Sequence, residues 1–200
     1  MTNQKGFTLI ELLIVLAIIA ILAAILIVII NPAQIMSRGR DTQRQGDLRN
    51  LSAAVDTLIA EMSISNLTIN WPSRGSCTSS SAAGNIYFSI VPTNSSTAPE
   101  GWPAVVAGAA IGTTSTDING NGWVPLDFSQ VPSLNLVQLP VDPLNGRTIG
   151  GVQYAYSFAC SDDMNYEFAA KLERNNTLMA NDGGNQPGLY EVGPGKASLY

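Results

Sequence analysis

The chain has 200 residues, 46% of them hydrophobic and only 12% charged, with a formal net charge of -5 and no histidine. An acidic balance is poorly suited to clamping phosphates, so nucleic acid is not an expected partner. Without imidazole the chain also lacks the commonest general base and the commonest neutral metal ligand.

The averages conceal a split. Residues 7–30 are almost wholly apolar, whereas residues 63–200 are rich in Gly, Pro, Ser, Asn and Thr and hold ten acidic side chains against five basic ones. The chain opens on a polar stretch, MTNQKG, followed by FTLIELLIVLAIIAILAAILIVII. As a helix, Phe7–Ile30 would be about 36 Å long, enough to cross a bilayer core of about 30 Å. A secretory signal peptide would have a shorter apolar run ending in a small-residue cleavage site. A plain membrane anchor leaves Glu11 unexplained, because a carboxylate near the start of a membrane helix is costly without a partner. Nothing within the helix is expected to supply one, since the nearest cations are Lys5 and the distant Arg38. A positive charge created by proteolysis would.

The run Lys5-Gly6-Phe7-Thr8-Leu9-Ile10-Glu11 resembles the cleavage signature of bacterial type IV prepilins and type II secretion pseudopilins. The resemblance implies that a prepilin peptidase cuts after Gly6 and that the new terminal residue, Phe7, is N-methylated. It also implies that Glu11 neutralises the terminal amine of a neighbouring subunit inside a filament. Opposite charges in a water-free bundle attract strongly, whereas either one buried alone is unfavourable. Flanking charge points the other way: Lys5 precedes the span while Arg38, Arg40 and Arg44 follow it, which weakly favours the reverse orientation. The cysteines and the resemblance both favour a C-terminal domain outside the cytoplasm.

Beyond Asn31-Pro32, where proline bends or melts a helix, Leu48, Leu51, Val55, Leu58, Ile59 and Met62 recur at helical spacing. The expected element is one long helix from about Phe7 to Met62, softened at Gly39 and Gly46. Its second half would pack by one face on a globular head.

In the head, Ile86–Val91, Val152–Phe158 and Tyr166–Leu172 read as strands. The last two should form a hairpin turning through Cys160–Asn165. Ser76–Gly84 and Thr93–Ala98 read as loops, and Leu139–Leu144 followed by Tyr154–Tyr156 loosely resembles a pseudopilin segment leading into the sheet. The fold class is therefore α+β: a long N-terminal helix on a small antiparallel sheet. Its divisions are a leader at 1–6, a transmembrane or filament-core helix at 7–30, an amphipathic continuation at 31–62 and a β-rich head at 63–200.

Asp117, Asn119 and Asn121 with Gly122 fit the opening of a D-x-N-x-N-G calcium loop, and Asp127 could replace the terminal glutamate that Phe128 displaces. The competing reading is a Gly/Asn turn entering a Trp123-Val124-Pro125 strand. Asp182-Gly183-Gly184-Asn185 is read as a turn. Cys77 and Cys160, without CxxC spacing, read as one structural disulfide of an oxidising compartment, or else as two buried thiols. The bridge would close a loop of roughly 84 residues, worth about 4.5 kcal/mol by chain entropy.

No GxSxG, P-loop or HExxH is present, and catalysis is not expected. The expected function is that of a structural subunit of a type IV pilus-like filament. It would need no cofactor except, on the calcium reading, Ca²⁺. Its partners would be further copies of itself in a helical filament, prepilin peptidase, the assembly machinery and, before assembly, the inner membrane. Two alternatives remain at this level: a type II secretion pseudopilin, and a monomeric membrane-anchored binding module.

Overall fold

A computed structural model describes residues 6–62, 68–69, 75–76, 85–92, 98–103, 109–160 and 165–195. The chain divides into two compact units, Met1–Gly39 and Arg40–Tyr200. The first is built on α1, Leu9–Ile30. Every described side chain of α1 is exposed, although the helix is apolar on all sides. Such a helix belongs in lipid or in the centre of an assembly, and Leu9–Ile27 is long and apolar enough to cross a membrane.

α1 ends at Asn31, which takes the left-handed conformation at φ 42°. Asparagine tolerates that region better than a branched residue does, and the proline that follows disfavours a right-handed helical turn at position 31. Pro32 then opens α2, Pro32–Met62, where its missing N–H is no loss. The expected long helix is thus two helices, divided at Asn31-Pro32, and it starts at Leu9 rather than Phe7. Gly39 and Gly46 do not interrupt α2.

The second unit pairs the rest of α2 with a small sheet. In chain order the further elements are β1 (Thr68–Ile69), β2 (Gly75–Ser76), β3 (Ile86–Phe88), β4 (Ala110–Gly112), a 3₁₀ turn at Phe128–Gln130, β5 (Thr148–Ile149), β6 (Val152–Gln153), β7 (Tyr156–Cys160), β8 (Tyr166–Ala170), α3 (Asn176–Ala180) and β9 (Tyr190–Val192). The five-stranded sheet runs β4-β3-β7-β8-β9. All neighbours are antiparallel except β3 and β4, which are parallel, so the sheet departs at that one pair from the antiparallel expectation.

The β7–β8 hairpin lies where the alternating sequence put it, with Phe158 opposite Phe168 and Cys160 opposite Tyr166. The expected strand over 152–158 is divided: Val152–Gln153 pairs with Thr148–Ile149 instead. Cys160 closes β7 rather than starting the turn. The Ile86–Val91 strand stops at Phe88, because Ser89 turns its hydroxyl to Asn145 (2.6 Å) and accepts from Tyr156 N (2.9 Å). Trp123–Pro125 is a buried irregular segment, not a strand.

Because side chains alternate across a strand, Tyr87, Phe158, Tyr166 and Phe168 share one face. They meet Leu48, Leu51, Val55 and Leu58 of α2 in the main core, which Trp123 and Phe128 complete. Phe158 and Phe168 lie 5.1 Å apart between ring centroids. The opposite face packs Ile86, Phe88, Ile90, Ala110, Ala155 and Ala159 in a second cluster, where Phe88 meets Trp102 edge-on at 5.4 Å.

Candidate functional site

The described residues just before α1, 6–8, are open to solvent. A Cβ added at Gly6 would meet nothing within 4 Å, and Phe7 is 90% exposed. Thr8 takes an extended conformation and caps α1. Its Oγ1 accepts from Glu11 N (3.3 Å), while its amide and its hydroxyl both donate to Glu11 Oε2, each at 2.8 Å. This is a complete capping box. It corrects the expectation that the helix offers Glu11 no partner, because two neutral donors of Thr8 hold one carboxylate oxygen. The signal was in the sequence: Thr8 and Glu11 stand in the T-x-x-E spacing just before an apolar run.

Residues 1–27 match the family described as the prokaryotic N-terminal methylation motif. The chain carries the signature of type IV pilins and pseudopilins. That signature points to a precursor of the pilin or pseudopilin type, a structural subunit rather than an enzyme. The methylation motif spans only the leader and most of α1, and the head lies outside it. No curated protein and no solved structure matches the chain.

The other residues singled out from the sequence do not converge on one site. Cys160 is buried at the end of β7 and is not a free thiol; Cys77 lies outside the described residues. An isolated bridge joins Asn119 to Asp127, and the side-chain oxygens of these two residues serve the turn. Asn119 Oδ1 accepts from Asn121 N at 3.1 Å. Asp127 Oδ1 accepts from the amide and the hydroxyl of Ser129, and its Oδ2 from Gln130 Nε2 at 2.7 Å, capping the 3₁₀ turn. Burial would raise the Asp127 pKa, and these hydrogen bonds outweigh it and hold the group below its ordinary value. Gly122 is required because a Cβ would stand 2.1 Å from the Asp117 carbonyl oxygen. No group of three or more acidic or Cys side chains suited to a metal occurs among the described residues. Asn119 and Asp127 thus cap this turn themselves.

Sequence reasoning missed a buried ion cluster in the second unit. Arg44 of α2, fully buried, grips Asp142 through two bonds (Nε–Oδ2 2.7 Å, Nη2–Oδ1 2.9 Å). Its Nη1 donates to Asp41 (2.9 Å) and Glu173 (2.8 Å). Arg40 holds Glu173 with two further bonds at 2.7 and 2.6 Å. Asp41 also accepts from the amides of Glu173 and Arg174, Asp142 from that of Leu144, and the Tyr154 ring lies 4.8 Å from the Arg44 guanidinium carbon. Burial would push Glu173 up, yet the hydrogen bonds from Arg40 and Arg44 hold it below its ordinary value. Two of the three arginines counted against the expected orientation are thus committed to this cluster.

Proposed function

We propose that the protein is a subunit of a type IV pilus-like filament. On this reading it is cut after Gly6, methylated at Phe7, held in the inner membrane by α1 and then polymerised with further copies through that helix. The observation that carries the reading is the coincidence of three features: an open Gly6-Phe7 junction, a lone carboxylate at Glu11, and an apolar helix with no protein cover. Nothing in the fold asks for glycine at position 6, since a Cβ there has open space and the backbone is not left-handed. A residue free of any folding duty is suited to being read by another protein, here the peptidase.

Glu11 keeps one oxygen on Thr8 and has no described partner for Oε1. In a packed bundle that oxygen would meet the amine of a neighbouring Phe7, satisfying a charge that each subunit alone leaves in an apolar surround. The head would stand outside the cytoplasm, with Cys77 and Cys160 joined. Alkylation of the native protein without reductant should then label neither cysteine.

The test measures filament yield and membrane-resident subunit together, in wild type and Glu11→Gln. We expect Glu11→Gln to accumulate in the membrane with normal processing while filaments fall to a few per cent or less. Equal filament yield would remove the charge pairing from the mechanism, and a mature mass retaining Met1–Gly6 would remove the processing. Filaments sheared from the cell surface separate a pilus from a secretion pseudopilus.

A further inference from the structure

Between α2 and the edge of the sheet lies a groove that the filament reading does not use. β9 ends the strand order and has β8 on one side only. A cleft of about 290 Å³ runs beside it, walled by Arg49 of α2 and Leu178 of α3, with Tyr190, Val192 and Gly193 along the strand. The side chains of Tyr190 and Val192 belong to the main core on the α2 side. Alternation turns Glu191 to the opposite face, where it is buried, so it meets the cleft through its backbone.

One hydrogen bond fixes which backbone groups face outward. The N–H of Glu191 donates to Asp182 Oδ2 at 2.7 Å and therefore points away from β8. In an antiparallel pair the residues on either side then bond to the partner strand, here Tyr190 with Ala170 and Val192 with Phe168. The carbonyl of Glu191 thus faces outward. A trans peptide sets N–H opposite C=O, so the N–H of Gly193 faces outward as well. Among the described residues neither group has a hydrogen-bond partner. An acceptor and a donor two residues apart suit one residue of a parallel strand, which donates to the first and accepts from the second. An antiparallel strand would need the N–H of Glu191, which Asp182 already holds.

The charge in the groove is as selective. Arg49 spends Nε on the Tyr190 hydroxyl (3.2 Å), and its Nη1 and Nη2 have no partner among the described residues. Two parallel guanidinium donors match a carboxylate. The acidic side chain of the wall, Asp182, is engaged by the amides of Glu191 (2.7 Å) and Gly184 (2.8 Å).

We propose that this groove docks an extended acidic segment of another protein, added parallel to β9 as a further strand. The residue bonded between Glu191 and Gly193 lies beside Val192 and presents its side chain on the same face, toward α2. An Asp or Glu there meets Arg49. Backbone pairing supplies affinity in this mode, and the side-chain contact supplies selectivity. A second copy of this chain fits less well. Among the described residues its exposed carboxylates are Glu11, Asp56 and Glu61 on helices and Glu100 in a turn, none of them on an extended segment. The docking site lies wholly in the second unit and does not rest on polymerisation.

The experiment titrates the full chain in detergent with the capped peptide acetyl-Thr-Val-Glu-Val-Thr-amide and with the same peptide carrying Gln at its centre. The glutamate peptide should bind at least about tenfold more tightly, and Arg49→Gln should bring its affinity down to that of the glutamine peptide. At saturation, hydrogen exchange of the Gly193 amide should slow by about tenfold or more. The Glu191 amide, already held by Asp182, should not change. The peptide comparison is made on the unaltered chain and stands even if Arg49→Gln fails to fold. Equal affinities, no binding at millimolar peptide, or unchanged exchange at Gly193 would overturn the proposal. Self-association of the full chain that Arg49→Gln abolishes would assign the groove to a second copy and overturn it as well.

Discussion

Glu11 and Arg44 are both charges set among apolar residues, and the chain satisfies them by opposite means. Glu11 is served by Thr8, three residues away, within a single helical turn. Arg44 is served by Asp41 nearby and by Asp142 and Glu173, which lie 98 and 129 residues further along the chain. The first solution exists as soon as a helix starts and needs no tertiary structure. That suits an apolar segment long enough to cross a membrane by itself. The second exists only once the head has folded, and it ties α2 to two distant loops. A local partner keeps a charge bearable and leaves it available for a later partner; a distant set of partners consumes it.

Removing the distant cation should have the larger effect. Arg44→Met leaves Asp41, Asp142 and Glu173 facing one another without a central cation, which should destabilise the head by about 3–5 kcal/mol. Thermal unfolding of the detergent-solubilised chain would measure this. A shift of only a degree or two would mean that the cluster does not join α2 to the head.

Next in size is the proposed bridge between Cys77 and Cys160. Reduction should lower the stability of the head by about 2–4 kcal/mol while leaving the helicity of α1 unchanged, and circular dichroism with and without reductant would register both.

The same contrast sets a pH dependence. Glu173 is held below its ordinary value by Arg40 and Arg44, so its contribution is present above the unfolded carboxyl pKa of about 4.3 and is lost as pH falls through the lower folded value. Melting temperatures of the wild type should drop below about pH 4, and Arg44→Met should drop less. An equal drop in both would dissociate acid sensitivity from the cluster.

Breaking the local solution should be milder. Thr8→Val removes the cap hydroxyl and should weaken the start of α1 by about 1 kcal/mol, with Thr8→Ser restoring it. The readout is amide exchange of the first turn in micelles, and identical exchange in Thr8→Val would show that the box is incidental. The smallest expectation is for calcium. Asp127 and Asn119 already serve the turn, so millimolar Ca²⁺ or a chelator should leave the melting temperature within error; a chelator-dependent fall would restore the Ca²⁺ reading.

Much of this molecule could be read from its residues because the determining interactions are short in sequence. α1 follows from an uninterrupted apolar run, its end from Asn31-Pro32, and the inward face of α2 from Leu48, Leu51, Val55 and Leu58. The β7–β8 hairpin follows from alternation across a short connection. The capping box is equally legible, in the T-x-x-E spacing of Thr8 and Glu11 ahead of an apolar run, although its donors are neutral.

The other strand pairings could not be read. Nothing in Ala110–Gly112 says that it lies parallel to β3, and nothing in Val152–Gln153 says that it leaves the following strand to pair with Thr148–Ile149. The apolar span and the Thr8–Glu11 cap are legible in the sequence alone, because both are carried by residues within a few helical turns. The Arg44 cluster was decided only by the folded chain. A charge becomes a problem only when it is buried, and which charges are buried, and beside what, is fixed by long-range packing.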